Sequence, residues 1–216
     1  MGYWHQIDGY LKQISVGSRF HVWGVNANDN IFRYRGEGQW DRIDGSLKHV
    51  SVGFDGAVFG VNANDQIFRF RGGDDWHQID GYLKQVSVGS ASYIWGVNAR
   101  DNVFRYRGEY EWQQIDGSLK YVSVGGDGIV CGVNAADEIF RYLGSGNWRA
   151  IDGRLKQISI GSASHIWGVN AQDTIFRYRG EDQWQRIDGS LKHVSVGFDG
   201  AVFGVNSAHQ IFQYIY

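Results

Sequence analysis

Side chains able to grip a polar ligand recur along this chain at fixed spacing. Its nine tryptophans fall into two series: Trp4, Trp40, Trp76, Trp112, Trp148 and Trp184 return every 36 residues, and Trp23, Trp95 and Trp167 every 72. An indole offers an apolar face to C–H groups and a polar N–H at its edge. The first series stands in every copy, as packing between repeats would also require. The second varies with the segment before it, and His21, Tyr93 or His165 lies two residues ahead of each Trp. Trp23, Trp95 and Trp167, with those three neighbours, are therefore the stronger ligand candidates. Phe59, Cys131 and Phe203 fill the same slot in the intervening copies, so core packing stays open for it.

Arginines form a third series. In Phe32-Arg33-Tyr34-Arg35 and its repeats, strand alternation puts both guanidinium groups on one face and both rings on the other. Such a face suits sugar hydroxyls, or the carboxylates and phosphates of acidic glycans. An ion pair with the Asp29 or Asp8 series is the competing role, more fitting for Arg33 than for Arg35. Arg35, Arg107 and Arg179 are the ligand candidates, because Leu143 and Ile215 at the same position show that no fold requirement holds it.

Groups for covalent or metal chemistry do not assemble. The seven histidines make no metal-ligand spacing, and no nucleophile elbow or phosphate-cradling loop is present. Asn26-x-Asn28-x-Asn30 lacks the glycine and distal glutamate of a calcium loop. The expectation is a protein with no catalytic residue, no metal and no cofactor, hence not an enzyme. Multiplying one weak site instead suits a binder, whose avidity rises by about two to four orders of magnitude when several sites engage.

These residues need a scaffold, and the period supplies it. Six copies of 36 residues fill residues 1–216 without a gap, giving one domain with no linker. Within a copy the pattern has period two, and four short strands are expected at 4–7, 11–16, 22–26 and 31–35. Asp8-Gly9 and Ala27-Asn28-Asp29-Asn30 read as tight turns, in a chain with 31 Gly and no Pro. Four strands of that length make one propeller blade. A linear solenoid would need polar capping repeats, which the first and last copies do not provide. The expected fold is all-β: a six-bladed β-propeller of four-stranded antiparallel blades, closed by residues 3–7 completing the last blade beside 211–216. Odd and even copies differ, so the larger unit is 72 residues taken three times, and 42–62 repeat identically at 186–206.

Charge and termini narrow the partners. Lys+Arg 21 against Asp+Glu 23, with pI ≈ 6.4, disfavours nucleic acid. No apolar run is long enough for membrane insertion. The start lacks the basic and apolar regions of a signal peptide, so a cytoplasmic protein, or leaderless export to the cell surface, is expected. A homo-oligomer is compatible with all of this.

The motif Trp-x-x-Ile-Asp-Gly-x-Leu-Lys-x-Ile/Val-Ser-Val-Gly, followed by Trp-Gly-Val-Asn-x-x-Asp-x-Ile-Phe-Arg-Tyr, resembles the tectonin repeat in all six copies. The resemblance implies a six-bladed propeller lectin that binds glycans on microbial or cell surfaces, including lipopolysaccharide and O-methylated sugars. The alternative is an intracellular protein-interaction scaffold, since tectonin repeats also occur in intracellular membrane-traffic proteins; the single-domain length argues against it. Departures lie in the even copies, where Phe or Cys replaces Trp, and in copy six, where His209 and Gln213 replace Asp and Arg.

Overall fold

The computed structural model describes residues 2–216. Its strands form six four-stranded antiparallel sheets, each the blade of a propeller. Blade one runs outward from the inner strand Gln13–Ser18 through His21–Val25 and Asn30–Gly36 to the outer strand Gln39–Ser46. Blades two to five repeat this order. In blade six the inner three strands, His193–Val196, Val202–Val205 and Gln210–Ile215, are completed by Tyr3–Tyr10, with Trp4 opposite Tyr214 and Ile7 opposite Ile211. The expected closure is what the structure contains.

One expected turn is absent. Asp8-Gly9 does not end a strand; the outer strand continues to Tyr10, with a register shift between Ile7 and Tyr10. Gly9 takes φ +108 inside this bulge, and an added Cβ would lie against the Trp40 indole of the next blade, 3.5 Å from its Nε1. The positive φ is what calls for glycine; the indole contact alone would admit a Cβ. The Asn26–Asn30 turn is as expected: Asn26 Oδ1 accepts the N–H groups of Asn28 and Asn30, each at 3.0 Å, and Asp29 sits at φ 63.

Hydrophobic clusters lie between blades. Trp23, Val25, Ile31 and Ile43 of blade one interlock with Leu47, Val50, Val52 and Val58 of blade two. Toward the axis the blades are laced by polar side chains. Each inner-strand serine accepts a backbone N–H from the neighbouring blade, Ser15 from Val52 at 3.0 Å and Ser195 from Val16 at 2.9 Å. In odd blades Gln13, Gln85 and Gln157 bridge to the next inner strand, Gln13 Nε2 donating to the Val50 carbonyl at 2.9 Å and its Oε1 accepting from Val50 N–H at 3.1 Å. Even blades place His49, Tyr121 and His193 there instead, facing one another across the channel. At the other end of the axis Phe54 and Phe198 stack, their centroids 4.9 Å apart, over Gly126.

Candidate functional site: the clefts between blades

The sequence-predicted ligand residues separate into three places. Trp23, Trp95 and Trp167 are buried, with 3%, 2% and 0% of their surface exposed. Each packs edge-on against an aromatic of the next blade: Trp23 on Phe70 and Trp76, Trp95 on Tyr142 and Trp148, Trp167 on Tyr214 and Trp4. No face is open to a sugar, which corrects the expectation of three Trp pockets. The second strand lies between blades, and Phe59, Cys131 and Phe203 fill the same interior slot elsewhere. Burial pushes the Cys131 thiol up to about 12, so it stays protonated.

His21, Tyr93 and His165 are half-buried at the stacked-phenylalanine end of the axis. His21 Nδ1 lies 2.9 Å from the carbonyl oxygen of Phe54, and His165 Nδ1 3.2 Å from that of Phe198. A carbonyl only accepts, so both Nδ1 atoms carry hydrogen and tie an odd blade to the loop of the next even one. Tyr93 does the same job by packing, its ring occupying the space a Cβ on Gly128 would need.

Arg35, Arg107 and Arg179 are exposed on the outer rim. Each is held by the facing outer strand: Arg35 pairs with the Asp41 carboxylate, while Arg107 Nε and Arg179 Nε donate to Gln113 and Gln185 Oε1 at 2.7 and 2.8 Å. Arg35 in turn holds the Asp41 carboxyl below the usual carboxylate range. Arg33 reaches Asp41 at 3.3 Å and lies over the Trp23 ring at 5.9 Å. The expected Asp29 or Asp8 partner is thus replaced by a residue of the same blade, and Asp29 is taken by Lys12.

Open space lies where adjacent outer strands splay. Between blades three and four a cleft of about 440 Å³ is lined by Arg105, Arg107, Gln113, Asp116 and Tyr142. Between blades five and six one of about 420 Å³ is lined by Trp4, Gln185, Arg186, Asp188 and Tyr214. The first Trp series is half-buried, each indole against a ring of its own blade, and Trp4 lines the second cleft. In five of the six the Nε1–H donates back to the preceding blade, as Trp40 does to the Asp8 carbonyl at 2.9 Å; Trp112 Nε1 has no partner. The indole edge is therefore spent on blade contact. Small apolar hollows adjoin two of these indoles: about 130 Å³ among Gly117, Leu119, Phe140 and Trp148, and about 100 Å³ among Ile139, Leu155, Phe176 and Trp184.

The first cleft sets the Arg107 guanidinium, held by Gln113, and the Asp116 carboxylate beside Tyr142, and the second sets Gln185, Arg186 and Asp188 beside the Trp4 indole and Tyr214. That combination binds neutral polyols by hydrogen bonds and C–H contact. The second Trp series is buried and the first half-buried, because the strand that carries the second lies between blades. The Asp-Gly pair lies within the outer strand as a bulge, where a turn is expected from its composition.

Residues 1–73 and 92–216 match the Tectonin domain. The chain belongs to the tectonin family. A 30-residue stretch is 60% identical to Tectonin-1 of Physarum polycephalum, covering 14% of this chain and 14% of that relative, far short of its full length. Solved propellers are similar in fold. Virginiamycin B lyase from Staphylococcus aureus superposes with TM-score 0.67 at 17% identity, over 94% of this tectonin and 79% of the lyase. A gluconolactonase from Xanthomonas campestris gives TM-score 0.74 at 10% identity, over 97% and 87%. At such identities the likeness shows the fold alone. It nonetheless corrects the expectation, drawn from missing catalytic motifs and from the multiplied site, that this chain is not an enzyme: propellers of this fold include a lyase and a lactonase, so the fold does not exclude catalysis.

Proposed function

We propose that this tectonin is a multivalent carbohydrate-binding protein whose sites are the clefts between outer strands. The observation behind this reading is that two rim interfaces hold clefts lined by a guanidinium, an amide, a carboxylate and a tyrosine: Arg107, Gln113, Asp116 and Tyr142 in one of about 440 Å³, and Arg186, Gln185, Asp188 and Tyr214 in one of about 420 Å³. The bidentate contact of Arg107 with Gln113 pre-sets the guanidinium, so little side-chain freedom is lost on binding. The apolar hollow beside Trp148 accepts a methyl substituent, in keeping with O-methylated sugars as ligands. Each site is shallow and weak alone; a glycan-coated surface that engages several at once is held by avidity. Microbial or host-cell glycans, lipopolysaccharide among them, are the targets this reading names.

The rim clefts also carry differences that grade the sites. Leu143 and Ile215 remove the guanidinium at two interfaces, leaving Arg35, Arg71, Arg107 and Arg179 at the other four. A labelled-protein glycan array followed by titration calorimetry tests the proposal, with about four sites per chain expected. Absence of any glycan hit overturns it. The scaffold reading draws on Phe20, which is 80% exposed in the loop before His21; it predicts a protein partner that free sugar does not displace.

A further inference from the structure

All six lysines of this chain occupy one position of the repeat, just before the inner strand: Lys12, Lys48, Lys84, Lys120, Lys156 and Lys192. The propeller gathers them into a circle around one mouth of the axial channel. Five donate to the carboxylate 17 residues further on, that of Asp29, Asp65, Asp101, Asp137 or Asp173. In the sixth blade that position is His209. Its backbone keeps φ 65, beside 62 to 65 for the five aspartates, so the turn is intact and only the carboxylate is lost.

Lys192 is consequently the one lysine with no ion pair among the described residues. Around it stand His209 on its own blade, Asp173 on the preceding blade, and Lys156 and Lys12 on either side. Six ammonium groups share five carboxylates, and the excess charge rests here. Partial burial and the flanking ammonium groups loosen its proton against the opposing pull of Asp173. A lysine amine attacks only when deprotonated and free of a partner, and the five clamped lysines are not free.

We infer that Lys192 is an acyl-acceptor site, modified in preference to every other lysine by activated acyl donors such as thioesters or anhydrides. The neutral amine adds to the acyl carbon and an amide C–N bond forms. The C–S or C–O bond to the leaving group breaks, and the proton shed by nitrogen ends on the departing thiolate or carboxylate. The product amide is uncharged, so acylation cancels the excess positive charge at this mouth of the channel. The inference is independent of the glycan reading, since the rim clefts contain no lysine.

The test is competitive labelling of the folded protein. Limiting acetic anhydride is followed by denaturation and completion with deuterated reagent, and occupancy of each lysine is read by mass spectrometry after cleavage at arginine. Peptides 43–69 and 187–216 remain distinct, because only the first contains Asp65 and only the second His209. Lys192 is expected to acetylate at least about fivefold faster than the mean of the other five. His209→Asp, which installs the residue the other blades have, brings it down to their rate. Asp101→Asn, tolerated at positive φ, raises Lys84 toward the rate of Lys192. Similar rates at all six lysines, or a preference that survives His209→Asp, would overturn the assignment.

Discussion

Trp95 and Arg107 lie in the same blade and divide its labour. The indole fills the space between blades three and four, while the guanidinium stands outside on the rim. Trp95→Ala empties a buried site and should cost about 3–5 kcal/mol, seen as a lowered midpoint in urea, with the rim clefts of the surviving folded fraction binding glycan at unchanged affinity. Arg107→Ala touches only solvent-exposed contacts and should shift stability by no more than about 0.5 kcal/mol. Calorimetry on that variant should lose one site per chain while the others persist. The arginines were legible in the sequence because Leu143 and Ile215 break their series; the burial of Trp95 was not, since an aromatic slot reads alike whether it faces a neighbouring blade or solvent.

At the scale of the strand, close approach near the axis decides which residues are allowed. An added Cβ on Gly89 would stand 2.1 Å from the Gly125 carbonyl oxygen of the next blade. Gly89→Ala must therefore push two inner strands apart, with an expected loss of at least about 2–3 kcal/mol, whereas Gly36, with nothing near its Cβ, is limited only by its φ of +94. Thermal melts of the two variants measure the difference. The alternation of strands and the turn at Asn26–Asn30 followed from period and turn chemistry. The bulge at Asp8-Gly9 did not, because Asp-Gly serves a hairpin and a bulge equally well, and only the Trp of the following blade selects between them.

Across the whole molecule, the even blades deliver His49 and His193 to the channel with both nitrogens of His49 and Nδ1 of His193 buried and unpaired. Burial, aided by nearby lysines and, for His49, by His193, lowers each imidazole from 6.5 to about 3. The unfolded chain therefore binds more protons than the native one throughout that interval. Their contribution is fully present above about pH 6.5 and is lost as pH falls toward 3. Urea midpoints at pH 7 and pH 4.5 should show this fall, and His49→Gln with His193→Gln, the residue of odd blades, should flatten it.

Closure of the propeller by Tyr3–Tyr10 beside Gln210–Ile215 also sets how it answers to tension. Tyr3 faces Ile215 at one edge of the seam, and Ile7 faces Ile211 deeper in. A pull applied between residues 3 and 215 loads one rung of this ladder at a time, so the seam peels instead of shearing. A ring held by six interfaces would then open under a small force, yielding first at Trp4, whose indole leaves its place against Trp167 and Tyr214.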